Sequence, residues 1–340
     1  MSVRSLFPCA CVVACAILTA AAPAAFAAST TVTEDFSTAP TTRGWEIHND
    51  ASLFLWNSTN ENLEVTWNSS KTNSYFRLPL IPFSSENDFS AALDLKMHHI
   101  QIGTTPGRPS TFQFAFGFQH RASADATNFI RGTGANTPNL AEFNFLPDSG
   151  FGPTTWPAMF PTNGLMNYSG NDDFGLFEIP TNVVMRVNLS YTATNHTIEL
   201  HILTNGVTMG RVVRAPLTET NASMGFTLDA FSISSYSDAG QFPGEYEGSI
   251  FARGTIDNIV TTTPASPIHS ATGGLVDGRW QHQIVAEAGW TYSLEASPDF
   301  DSWSQASAPV AGTGSAITLT SSGPESSAFR FFRVKAVRQP

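Results

Sequence analysis

The sequence predicts an all-β protein built from antiparallel sheets packed face to face, and three observations predict it. Apolar and polar side chains alternate over many short segments, as they do when successive residues point to opposite faces of a strand. No long stretch repeats its apolar residues every three or four positions, so helices should be short and peripheral. Charged residues are only 13% of the chain while Asn, Ser, Thr and Gly are abundant, a balance that suits strands joined by polar loops. Alternation with a single apolar face is the mark of an antiparallel strand with one side on a core.

In chain order, residues 1–28 come first. Arg4 is their only charge; a long apolar run follows, then small residues around Ala25-Phe26-Ala27. This reads as a secretory signal peptide cleaved near Ala27 or Ala28. A rival reading makes Cys15 a lipidated cysteine after Val12-Val13-Ala14, but the chain stays apolar beyond Cys15, where a lipoprotein would turn polar. Cys9, Cys11 and Cys15 all lie in this leader, so the exported chain must hold itself together by core burial or bound metal. No later apolar run is long enough to span a bilayer. Without Arg4 the count is 16 Lys+Arg against 28 Asp+Glu, a net charge of −12. Such a surface repels nucleic acid and anionic membrane and suits neutral glycans or cations. The expected location is outside the cell or on its surface.

Residues 29–263 form the first expected domain. Leu63 to Trp67, Phe89 to Met97, Thr111 to Phe118, Val183 to Tyr191 and Thr197 to Ile202 all alternate with period two and read as strands. Residues 264–274, rich in Pro, Ser, Thr and Gly, read as a linker. Residues 275–340 form a second, small β-domain, with strands expected at His282 to Ala286, Trp290 to Ala296, Ala316 to Thr320 and Phe329 to Val337.

The stretch Asn139 to Gly152, NLAEFNFLPDSGFG, concentrates the chemistry. In an extended chain Ala141, Phe143 and Phe145 share one apolar face, while Glu142 and Asn144 share the other and Asp148 follows after a proline. Three readings fit. They can be ordinary acidic groups near a strand end, oxygen ligands converging on a cation, or part of a catalytic carboxylate set. AEFNFLPD resembles the metal-binding strand of legume-type lectins. The resemblance implies a concanavalin-like jelly-roll β-sandwich, with Glu142 at a transition metal, Asn144 at the position bridging two ions and Asp148 on calcium. That bridging position is an Asp in the family, so one negative charge is missing here and a single Ca2+ is implied. Retaining glucanases of the same fold carry a second acid two or three residues beyond the bridging position. Here the corresponding face reads Glu142, Asn144, Leu146, and Asp148 is too far along the chain for that pairing.

Other segments add to the reading. Glu34-Asp35-Phe36 through Gly44-Trp45, and Gly254 to Val260, look like the first and last strands of concanavalin-like or laminin-G-like jelly rolls, in which the two ends pair. The tail, with Tyr292 to Ser297, Trp303 and Phe329 to Val334, is similar to small C-terminal β-domains of secreted proteins from Verrucomicrobia and Planctomycetes and resembles a fibronectin-like sandwich. Gly152 to Asp173 reads as a long loop whose Trp156 and Tyr168 offer flat faces for sugar rings, or pin the loop to the sandwich. His98-His99-Ile100-Gln101 reads as surface, because alginate-lyase-like jelly rolls use the order Gln-x-His. The function expected is a secreted, non-catalytic, calcium-assisted carbohydrate-binding protein. A polysaccharide-degrading hydrolase or lyase on the same scaffold and an adhesive structural protein are the alternatives.

Overall fold

The computed structural model describes residues 29–102, 114–131, 136–146, 154–164, 175–217, 225–237, 250–323 and 331–338. Two large antiparallel sheets carry most of them. One has nine strands, seven of which run in the order Val207–Thr208, Thr197–Thr204, Val184–Thr192, Phe89–Ile102, Ile250–Pro264, Asn62–Asn68, Phe54–Asn57. Ser29–Glu34 also pairs with Ile250–Pro264, and Val213–Pro216 with Thr197–Thr204. The other has seven strands, in the order Gly175–Leu176, Thr154–Phe160, Leu140–Leu146, Phe114–Gln119, Thr227–Ser235, Ser74–Ser84, Glu46–His48. Half of the neighbours in these two orders are consecutive strands and half are joined by crossovers between strands distant in sequence, which is jelly-roll connectivity.

The period-two pattern explains how the sheets meet. Leu63, Val65 and Trp67, Leu93 and Leu95, and Val187 and Leu189 point inward from the nine-stranded sheet. Phe116 and Phe118, Ala141, Phe143 and Phe145, and Phe231 and Ile233 point inward from the other, and all belong to one continuous core. Phe116 stacks on Phe143 with ring centroids 4.8 Å apart, and Phe89 meets Phe118 edge-on at 4.9 Å. Truncating one such ring to alanine typically costs about 3–5 kcal/mol. The two ends of the sandwich pair as the resemblance implied, but the first strand is Ser29–Glu34, and most of the segment marked for it, residues 35–45, follows as bends and the 3-10 turn Pro40–Arg43. Ser29 lies opposite Pro264 and Glu34 opposite Ile259. The only α-helix among the described residues is the single turn Arg121–Ala124, and no helix there is long and apolar enough to cross a membrane.

The connector is shorter than expected. Ile250–Pro264 runs to Pro264, and Ile268–Val276 is itself a strand paired with Arg279–Ala286. Asp277 and Gly278 form the two-residue turn between them, both at positive φ (48° and 73°), the conformation a type I′ hairpin requires. Ser315–Thr320 completes this three-stranded sheet, and a four-stranded sheet forms around Trp290–Ser297. Ile284, Ala286, Tyr292, Leu294 and Leu319 make a small core of their own.

Candidate functional site

The strand Leu140–Leu146 lies next to Phe114–Gln119, with Gly117 directly opposite Glu142. A Cβ on Gly117 would sit 2.3 Å from the Ala141 carbonyl oxygen and 2.7 Å from the Glu142 Cβ, so only glycine allows this approach. Ala141, Phe143 and Phe145 enter the main core as their alternation predicts. Glu142 and Asn144 point to the other face of the sheet, yet both are buried.

Residues 120–131 and 136–139 cross that face and cover it. Arg77 holds the cover with two hydrogen bonds to the Asp125 carboxylate, at 2.6 and 3.0 Å. The Tyr75 hydroxyl donates to the Ala124 carbonyl, and Asn73 Nδ2 donates to the Phe129 carbonyl. Beneath the cover, Tyr75, Phe129, Leu140, Trp156, Phe160 and Tyr236 belong to a second apolar cluster.

Arg131 descends from this cover into the sheet. Its Nε donates to Glu142 Oε1 at 2.6 Å, and its Nη2 donates to Asn144 Oδ1 at 2.6 Å. The Tyr236 hydroxyl donates to Glu142 Oε2 at 2.7 Å. The guanidinium lies 4.7 Å from the centre of the Phe160 ring. Exposure of the two charged side chains is 0% and 1%. Burial pushes the Glu142 carboxyl up, while Arg131 and Tyr236 act in the opposite direction. Burial, with the Glu142 charge beside it, pushes the Tyr236 hydroxyl well up.

The predicted cation site is therefore drawn together in one respect. Glu142 and Asn144 do converge, but on the guanidinium of Arg131. Calcium binds oxygens at 2.3–2.6 Å, so an ion on the Glu142 and Asn144 oxygens would compete for the space and charge that Arg131 already occupies 2.6 Å away. The described residues of the set, Glu142 and Asn144, do not fit the metal. Among the described residues no group of three or more His, Cys, Asp or Glu could hold a metal ion. Asp148 lies outside the described residues, as does Tyr168.

Trp156 is not on a loop. It sits in the strand Thr154–Phe160, opposite Asn144, and is only 2% exposed, so its ring has no open face for a sugar. Its ring packs with the second apolar cluster as part of the sheet itself, which is neither of the two loop roles read for it.

The outer face of the nine-stranded sheet differs. Asp94 and Asp257 are direct cross-strand partners, and Arg186 lies opposite Asp94 on the next strand. Like charges placed directly opposite are destabilising. The register slips between Asp257 and Val260, with Asn258 at φ 49°. This bulge lets Asn258 Nδ2 donate to Asp94 Oδ2 at 2.9 Å. Arg186 Nη1 donates to Asp94 Oδ1 at 3.2 Å and to the Asn258 carbonyl at 2.6 Å. Asp94 is thus supported on both oxygens. Partial burial first, then the negative charges of Asp94, Asp35 and Glu61, push the Asp257 carboxyl up against the Asn258 backbone hydrogen bond. An open groove of about 510 Å³ runs over these groups, lined also by Asn62, Glu64, Lys96 and His98. His98 is exposed there, as its surface reading implied.

Alternation placed Asp94 on the outer face of its strand, but its meeting with Asp257 depends on a pairing across 163 residues of sequence. Arg131 sits in an irregular stretch with no periodicity to flag it. No family model matches the chain, and no curated protein matches it. Solved structures do. A peanut lectin bound to a nine-residue peptide aligns at 12% identity and TM-score 0.43, over 70% of this chain and 98% of that one. A basic winged bean lectin with Tn-antigen aligns at 11% identity and TM-score 0.45, over 70% and 100%. A sialidase aligns at 11% identity and TM-score 0.37, over 68% of this chain but 18% of its own. The fold itself is the concanavalin-like jelly-roll sandwich seen in the two large sheets.

Proposed function

We propose that this is an exported carbohydrate-binding protein whose ligand lies on the outer face of the nine-stranded sheet. The observation that carries the reading is the cross-strand pair Asp94 and Asp257, held in an open polar groove with Asn62, Lys96 and Asn258. A hydroxyl-rich neutral ligand answers the chemistry of this place. Its hydroxyls can donate to both carboxylates, easing their repulsion, and can accept from the Asn amides and the Lys96 ammonium. An anionic ligand would meet the negative charges of Asp94, Asp257 and Glu64 that line the groove. The leader-like residues 1–28 and the acidic net charge of the rest support an extracellular setting for such a ligand.

The binding reading is non-catalytic at Leu140–Leu146. The Glu142 carboxylate there is buried beneath residues 120–131 with Arg131 and Tyr236 on its oxygens, so a polysaccharide cannot reach it. A panel of neutral polysaccharides, screened for retention of the full chain, tests the proposal. Retention that Asp94→Asn and Asp257→Asn abolish is expected; no retention, or retention indifferent to both changes, would overturn it.

A second reading has its own support. Partial burial and nearby negative charges push the Asp257 carboxyl up beside Asp94, and direct cross-strand partners carry their Cβ atoms about 4.5–5.5 Å apart. A carboxyl with a raised hold on its proton next to a supported carboxylate is the kind of pairing a glycoside hydrolase uses. Release of reducing ends from the same panel, lost in Asp257→Asn, would favour it.

A further inference from the structure

We infer that Arg131 is the built-in cation of the Leu140–Leu146 strand, taking the place that an external metal ion would need, so that this face of the sandwich is organised without metal. Three features converge on this. The guanidinium bridges a carboxylate and a carboxamide two residues apart on one strand face, reaching both at 2.6 Å. It is wholly buried, with the Phe160 ring 4.7 Å from its centre, so its charge is balanced within the protein by Glu142. The sheet is shaped around the pair: Gly117 leaves room for Glu142, and Tyr236 satisfies the carboxylate oxygen that Arg131 does not take.

The role belongs to the planar fork and not to positive charge alone. A lysine ammonium is a single point and cannot donate to Glu142 and Asn144 in the two directions a guanidinium spans. The cover is tied in by the same residue, because Arg131 follows the backbone bond from Ile130 N to the Asn136 carbonyl. Loss of the guanidinium should therefore loosen both the strand face and the segment above it. This inference is independent of where a carbohydrate binds.

Thermal unfolding of the full chain in calcium and in EDTA is the first test. The expected result is one Tm in both. A calcium-dependent rise in Tm that Glu142→Gln abolishes would overturn the inference; a rise that survives Glu142→Gln arises elsewhere on the chain and leaves it standing. The second test uses substitutions. Arg131→Lys should lower Tm clearly, and Arg131→Gly should lower it further, with partial recovery in methylguanidinium at concentrations that leave the unsubstituted protein's Tm unchanged. Full stability in Arg131→Lys would overturn the role of the fork. If Arg131→Gly yields no folded protein, the calcium comparison and the lysine variant decide.

Discussion

The two outer faces of the sandwich carry similar residues and use them in opposite ways. On the seven-stranded sheet, Glu142 and Asn144 are roofed by residues 120–131 and matched by Arg131 and Tyr236. On the nine-stranded sheet, Asp94 and Asp257 face an open groove and stay in conflict, with only Asp94 given donors on both oxygens among the described residues. A carboxylate two residues from another polar group on a strand therefore says little by itself. What covers the strand decides whether the group is structural or available.

The comparison breaks most sharply at Arg131. Arg131→Met should cost about 3–5 kcal/mol in denaturant unfolding, because it strands Glu142 as a buried charge. Adding Glu142→Leu should recover much of that loss, and a double variant as unstable as the sum would show the two are not paired. Next comes Gly117→Ala, expected to cost about 1–3 kcal/mol by forcing the Phe114–Gln119 and Leu140–Leu146 strands apart. Thr255→Ala, in the middle of the open face, should stay within about 0.5 kcal/mol. Equal losses at these two positions would erase the distinction between faces.

Asp257→Asn should act in the other direction. The fold holds that carboxyl above its ordinary value of 3.8, so the native state favours its proton and loses stability as pH rises through the window above 3.8. The amide removes that loss, raising neutral-pH stability by about 0.2–1 kcal/mol while leaving acid stability unchanged. A gain in stability with a loss of glycan retention would mark a residue kept for function. The smallest effect is expected at Glu295, whose carboxyl Lys335 and Arg333 hold below 4.5. Its contribution is present above that value and lost as pH falls through the lowered one, so Glu295→Gln should matter slightly at neutral pH, less in salt and not at all in acid.

Much of this was legible from residue order. Alternation located Leu63 to Trp67, Phe89 to Met97 and Thr197 to Ile202 as strands, and it assigned Phe143 and Glu142 to opposite faces. It failed at Thr154–Phe160, where Pro157 and the surrounding Thr and Gly residues suggested a loop. That strand pairs along its whole length with Leu140–Leu146, Pro157 lying opposite Phe143, and with Gly175–Leu176 at Thr154 and Thr155. The convergence of Glu142 and Asn144 followed from their spacing. Their partner did not, because Arg131 reaches them from an irregular crossing whose path only the folded sheet defines. The Asp94–Asp257 encounter was hidden for a related reason, since it arises from register between strands distant in sequence and from a bulge that no local pattern announces.

The zipper between Ser29–Glu34 and the end of Ile250–Pro264 has a mechanical corollary. Ser29, where the leading segment enters, and Pro264, where the chain departs toward the smaller sheets, face each other at one end of the ladder. Tension applied between those two points would load the rungs one after another, starting with the outermost, instead of sharing the force among all of them. The sandwich would then yield at its rim under a gentle pull, peeling back a single ribbon while the phenylalanine-filled interior stays closed.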